Sequence, residues 1–255
     1  MGAADLVPGV SGGTIALITG IYKELLDSIN KFSWQEIKLI KNEGFTDVWR
    51  KLNGAFLLSL FAGIISSILL LSRILEWLII NEPIGLWSFF LGLLIASILF
   101  LIKKELKYNL KSLFYLSIGC LVSYLITQLS CAPNEAPIWY IFIAGFIGIS
   151  AMILPGLSGA YILFVMGVYQ KILSNVRQAQ DLIFSFNQEQ FIQVTSILSV
   201  FILGIFIGIK VFTRLLSWLL RRFHEETFSF LIGLMIGALG KVWPWQNQPT
   251  KLSDN

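Results

Sequence analysis

The chain of 255 residues is 56% hydrophobic and only 13% charged, with a mean hydropathy of +0.76. Soluble globular domains carry about 25% charged residues, so this composition excludes a water-soluble enzyme or binding module and places the chain in a bilayer. The formal net charge of +4 is small and implies no nucleic-acid partner.

Read from the N-terminus, uncharged stretches run from Leu6 to Tyr22, Gly54 to Ser72, Ile84 to Ile102, Ser112 to Asn134, Ala136 to Gln170, Gln190 to Ile209 and Thr227 to Gly240. Most are near the roughly 20 residues that span a hydrocarbon core. They follow one another with short connections, which predicts a single membrane domain over residues 1–255. The N-terminus has no basic region ahead of its apolar run and does not resemble a cleavable signal peptide. Between Trp34 and Leu52, aromatic and aliphatic residues mix with Lys and Glu at roughly helical spacing, which predicts a segment lying on the membrane surface. Spans are expected at 54–80, 84–102 and 112–131, the last holding both Cys120 and Cys131. Within one helix those two cysteines are too far apart for a disulfide and read as packing residues. His224, the single histidine, sits among Arg221, Arg222, Glu225 and Glu226 and reads as a solvated loop residue, so no metal site and no cofactor is expected. Trp243 and Trp245 suit the interfacial aromatic belt.

The stretch from Ala136 to Gln170 holds 35 uncharged residues, which as one straight helix would measure about 52 Å, well beyond a core of about 30 Å. It must break, and Pro155-Gly156 marks the place, with a new helix expected near Ser158. The same pattern occurs earlier. Ala4-Asp5-Leu6-Val7-Pro8-Gly9-Val10-Ser11-Gly12 is reproduced as Ala151-Met152-Ile153-Leu154-Pro155-Gly156-Leu157-Ser158-Gly159, and in the same register Gly20 and Tyr22 meet Gly167 and Tyr169. A second block follows, in which Gly63, Arg73, Trp77, Ser88, Phe89 and Gly92 correspond to Gly204, Arg214, Trp218, Ser229, Phe230 and Gly233. Repeat one thus covers about 1–104 and repeat two about 137–243, with a linking span at about 112–131.

Whether each Pro-Gly segment is the tip of a re-entrant hairpin or joins two full crossings, an odd number of spans separates the copies. The expected fold is therefore an all-α polytopic membrane protein with an inverted-topology repeat and two re-entrant or broken-helix hairpins. Lys31 to Lys51, the cluster of Lys103, Lys104, Lys107 and Lys111, and the turn with Arg221 and Arg222 fall on one side. By the positive-inside rule that side is cytoplasmic.

Broken backbone persists at membrane depth only when buried in protein or lining a watery cavity. A helix restarting there presents free N–H groups and partial positive charge, and Gly9, Gly12, Gly13, Gly156 and Gly159 allow close approach to the backbone, so the pair of motifs reads as an anion site. Ser11, Thr14 and Ser158 are candidate hydroxyl donors, with helix capping as the alternative role. Arg73 and Arg214 hold matching repeat positions and are assigned to attracting phosphate, although snorkelling to the headgroups accounts for them equally simply. Asp5, whose counterpart is Met152, is a candidate proton or sodium carrier; its structural alternative is to receive a backbone N–H or pair with a lysine. No histidine lies in a span and no carboxylates cluster, which argues against a lipid-phosphate enzyme. No carbonyl-filter sequence supports an ion channel.

The run Asp5 to Ala16, continuing to Gly20-Ile21-Tyr22, resembles the signature of the polyprenyl-phosphate (undecaprenyl-phosphate) translocase family of the PopT type, and the resemblance extends through the second copy. It implies a multi-pass protein of the cytoplasmic membrane that returns undecaprenyl phosphate from the outer to the inner leaflet for envelope-polymer synthesis. The implied partners are the polyprenyl phosphate lipid and the bilayer, with proton or sodium coupling. The chain departs from the family pattern at its start. The second motif is led by an apolar arm from Pro137 to Leu154, whereas only Met1 to Val7 precede Pro8-Gly9, and the expectation is that Met1 is a mis-assigned start or a truncation.

Overall fold

A computed structural model of the chain describes residues 1–5, 11–31, 45–128, 137–182 and 188–245. Pro8 and Gly9, most of the Trp34–Leu52 surface segment, and Cys131 lie outside the described residues. Among the described residues every regular element is helical: α1 (Gly2–Asp5), α2 (Gly12–Ile18), α3 (Tyr22–Lys31), α4 (Phe45–Lys51), α5 (Gly54–Asn81), α6 (Pro83–Glu105), α7 (Leu110–Gln128), α8 (Ile138–Ile153), α9 (Gly159–Val165), α10 (Tyr169–Asp181), α11 (Gln188–Arg222) and α12 (His224–Ala238), followed by a 3-10 turn at Leu239–Val242.

The Gly54–Leu71 part of α5, together with α6, α7 and α11, is long and apolar enough to cross a membrane, and α8 is a shorter apolar helix. The protein is thus an all-α polytopic membrane protein. Helices α5 and α6 fall where spans were expected. α7 is described as far as Gln128, and Cys131 of the expected 112–131 span lies outside the described residues. α11, at 35 residues, runs on past the uncharged 190–209 stretch to the turn expected at Arg221 and Arg222; at 1.5 Å per residue it measures about 52 Å and must tilt or project beyond the hydrocarbon. The turn after it is a single residue, Phe223. His224 is therefore not a loop residue, as the charged sequence around it suggested, but the first residue of α12. Its ring lies 3.2 Å from a Glu105 carboxylate oxygen and 4.6 Å, centroid to centroid, from Phe228.

The two motif copies follow the same local path. Ser11 (φ −120°, ψ 137°) and Ser158 (φ −107°, ψ 125°) each precede a seven-residue helix in extended backbone. Each of those helices ends at a glycine of positive φ, Gly20 at +80° and Gly167 at +71°, after which the next helix begins at Tyr22 or Tyr169. A left-handed residue past a helix end is the ordinary glycine stop, and the sequence supplies glycine at both paired positions.

Lipid tails are as apolar as leucine, so helices in a membrane associate by close packing rather than by leaving water. Glycines provide it here. A Cβ at Gly237 of α12 would lie 2.5 Å from the Cys120 carbonyl oxygen of α7. One at Gly208 of α11 would lie 2.7 Å from the Phe146 carbonyl of α8. In the first copy, Gly2 of α1 abuts the Ile64 carbonyl of α5 in the same way. The main core gathers Ala16 of α2 and Leu26 of α3 with Leu94 and Leu101 of α6 and Leu231 and Met235 of α12.

Candidate functional site

Helix α8 ends at Ile153, Leu154 is extended, and Pro155 and Gly156 turn the chain before α9 starts at Gly159. The break predicted at this dipeptide is therefore present. Gly156 has φ +81°, and a Cβ on it would lie 2.8 Å from the Met235 Cα and 3.1 Å from the Leu234 carbonyl oxygen. The turn sits directly on the backbone of α12.

Breaking a helix inside a membrane leaves N–H and C=O groups that need partners. The first motif supplies them to the second. Thr14 Oγ1 accepts the Gly156 N–H at 3.1 Å, and the Tyr22 hydroxyl donates to the Ile153 carbonyl at 3.0 Å. The Ser11 hydroxyl lies 3.2 Å from the Leu154 carbonyl and 3.3 Å from that of Met152, so its single proton serves one at a time. A Cβ at Gly13 would lie 2.6 Å from the Ile153 carbonyl oxygen, which is the close approach that brings the start of α2 against the end of α8.

The start of α2 is also capped from its own side. Ser11 Oγ accepts the Gly13 N–H at 3.1 Å, and Asp5 Oδ1 accepts the Gly12 N–H at 2.7 Å. Ser11 thus performs the capping role. Asp5 fills its structural alternative too, placing a carboxylate where helix geometry favours an anion. The second copy differs. Ser158 stands at the N-cap of α9 with no capping bond from its side chain, and Gly159 packs against the Gly148 carbonyl of α8, 2.7 Å from where its Cβ would be. Two residues further, the Tyr161 hydroxyl donates to the Thr127 carbonyl at the end of α7, 3.0 Å away.

Asp5, Ser11, Gly12, Gly13, Thr14 and Gly156 therefore come together, with Ser158 and Gly159 just beyond the turn. Gly9 lies outside the described residues, as does the side chain of Arg73 on α5. Arg214 is exposed on α11, and no hydrogen bond or ion pair joins it to the hairpins among the described residues. Its neighbours are more engaged. Lys210 Nζ donates to the Ile29 carbonyl at 2.8 Å, Thr213 Oγ1 donates to Asn30 Oδ1 at 2.9 Å, and Asn30 Nδ2 donates to Ser217 Oγ at 2.8 Å. Arg221 pairs with Asp27 at 2.6 Å. Together these fasten α3 along one face of α11. Neither Asn30, Thr213 and Ser217 nor the Tyr22 hydroxyl was expected to matter. The recurrence of polar residues at Lys210, Thr213, Ser217 and Arg221, one helical face of an apolar helix, was the signal available. Among the described residues no three His, Cys, Asp or Glu side chains gather as a metal site.

All 255 residues match the family model described as undecaprenyl phosphate translocase-like. A polyprenyl-phosphate transporter of Vibrio cholerae serotype O1 is 43% identical over 246 residues, covering 96% of this chain and 75% of that protein. A polyprenyl-phosphate transporter of Staphylococcus aureus is 29% identical over 256 residues, covering 96% of this chain and 83% of that protein. No solved structure matches the chain. With its apolar helices, its paired motifs and this relationship over its whole length, the chain is a membrane transporter rather than an enzyme and belongs to the undecaprenyl phosphate translocase-like family.

Proposed function

We propose that this protein moves polyprenyl phosphate, and undecaprenyl phosphate in particular, from the outer to the inner leaflet of the cytoplasmic membrane, returning the carrier for peptidoglycan and other envelope polymers. The names of the family and of both relatives support the substrate class. The observation that carries the site is the meeting of the two motifs, in which Ser11 and Thr14 of the first copy reach Leu154 and Gly156 of the second.

In this reading the chain is one membrane domain whose repeats, about 1–104 and 137–243, are inverted around the 112–131 span, with the lysine-rich connections on the cytoplasmic side. The phosphate is held by backbone N–H groups and hydroxyls of Gly9, Ser11, Gly12, Gly13 and Thr14 from one copy and Gly156, Ser158 and Gly159 from the other, with Arg73 and Arg214 attracting it. Asp5 is the coupling acid. Its carboxylate now holds the Gly12 N–H, and a proton or sodium ion on Asp5 weakens that hold and frees the N–H for a phosphate oxygen.

The test is reconstitution with labelled short-chain polyprenyl phosphate, following leaflet exchange and phosphate release together. Exchange without release is expected, slowed by Ser158→Leu and by Arg214→Ala. Release of phosphate would establish an enzyme instead, and exchange indifferent to both substitutions refutes the site. Collapse of the proton gradient slows exchange if Asp5 carries a proton; an unchanged rate removes that role.

A further inference from the structure

Helix α3 is tied to the second copy at both of its ends. At its first residue the Tyr22 hydroxyl donates at 3.0 Å to the carbonyl of Ile153, where α8 stops before the Pro155-Gly156 turn. Eight residues on, Asn30 Nδ2 donates to the Thr213 carbonyl at 3.1 Å and to Ser217 Oγ at 2.8 Å, both on α11. Asn30 Oδ1 lies 2.9 Å from the Thr213 hydroxyl, but that hydroxyl has the Ile209 carbonyl of its own helix as a nearer acceptor, so the two Nδ2 bonds carry the tie. At 1.5 Å per residue the two ends are about 12 Å apart. Helices α8 and α11 are themselves packed together, with Gly208 against the Phe146 carbonyl. These contacts close a triangle that fixes where the end of α8 stands relative to the first copy.

The matching helix of the second copy is built differently. In the register that pairs Tyr22 with Tyr169, Asn30 meets Arg177. Tyr22 is 3% exposed, whereas Tyr169 is 38% exposed and Arg177 is exposed as well. Adhesion alone does not call for an asparagine on α3, since close apolar packing holds helices together in a membrane and each polar bond adds little stability there. What a bonded amide adds is register, because its partners are in place at only one setting of one helix on the other.

We infer that Asn30 is a positioning residue for the lipid phosphate: by fixing α3 on α11 it holds Tyr22 on the Ile153 carbonyl, and so sets the second hairpin against the first. The inference rests on the site proposed above, in which groups of both copies hold the phosphate. A shift of one hairpin against the other therefore weakens binding and leaves the passage of bound lipid largely as it was.

The test uses the full chain in proteoliposomes and measures leaflet exchange at increasing mole fractions of labelled short-chain polyprenyl phosphate. Asn30→Leu and Tyr22→Phe are each expected to raise the half-saturating fraction about tenfold, the order of one hydrogen bond, with the maximal rate changed less than about twofold. The double variant is expected to match Tyr22→Phe alone, because both changes act through one contact. Ser217→Ala removes one acceptor of Asn30 Nδ2 with little change of shape; its expected rise of about threefold answers the same question should Asn30→Leu not fold. A lower maximal rate at an unchanged half-saturating fraction means only that less of the protein is folded, and overturns the inference. A double variant whose rise is the product of the two single ones also overturns it, since Asn30 then does not act through Tyr22. Failure of the unaltered chain to exchange the lipid at all overturns the proposed function, and this inference with it.

Discussion

Replacing Gly156 by alanine tests whether the Pro155–Gly156 turn is held by its contact with α12. Alanine keeps the N–H that Thr14 accepts, so the change adds only a methyl group. That methyl meets two difficulties. The residue has φ +81°, a conformation that costs an L-residue about 1–2 kcal/mol. The Cβ would also lie 2.8 Å from the Met235 Cα and 3.0 Å from its N, backbone atoms that cannot swing aside as a flexible side chain would. Overpacking of this kind costs about 1–3 kcal/mol, which brings the total to about 2–5 kcal/mol. Gly20 is the internal control. It has nearly the same φ, +80°, but nothing lies within 4 Å of its would-be Cβ, so only the backbone cost of about 1–2 kcal/mol applies. Reversible SDS unfolding in mixed micelles, followed by tryptophan fluorescence, measures both. Equal destabilisation by Gly156→Ala and Gly20→Ala would show that α12 does not press on the turn and would refute the packing argument.

Thr14→Val keeps the shape of the side chain but removes the acceptor of the buried Gly156 N–H, so it is expected to destabilise by about 1–3 kcal/mol in the same unfolding assay. Thr14→Ser restores most of that loss; a serine variant as unstable as the valine one would show that the hydroxyl contributes nothing. Arg221→Gln removes the ion pair with Asp27, but the two side chains are 64% and 30% exposed, and the expected change is at most about 1 kcal/mol. A larger loss would mean that the pair, rather than the Asn30, Thr213 and Ser217 bonds, fastens α3 to α11.

Much of this architecture was legible before any coordinates. Charge-free stretches of near-bilayer length marked α5, α6 and α7, because lipid tolerates few charges and helix rise fixes the length. An uncharged run too long to cross once required the break that occurs at Pro155-Gly156, whereas the glycines paired at 20 and 167 were seen to be left-handed helix ends only in the structure. The turn expected at Arg221 and Arg222 does end α11, whereas the partners that its charged second half finds for Lys210 and Thr213 in α3 were not legible. His224 was misplaced for a related reason, as only the one-residue turn at Phe223 makes it a helix start beside Glu105.

At the candidate site the division is sharper. Motif spacing alone determined that glycines and a serine recur around a Pro-Gly dipeptide, with one acid, Asp5, in the first copy only, because small and hydroxyl residues are what a bent backbone at membrane depth requires. Tertiary structure decided which groups satisfy one another. That the Gly156 N–H goes to Thr14, that Ile153 and Leu154 offer their carbonyls to Tyr22 and Ser11, and that Asp5 holds the start of α2 are contacts between segments far apart in the chain or across a turn. No local pattern encodes such partners, since a hydroxyl beside a helix start caps that helix or reaches a neighbour with equal chemical ease, and only the packing of the two motifs against each other selects between them.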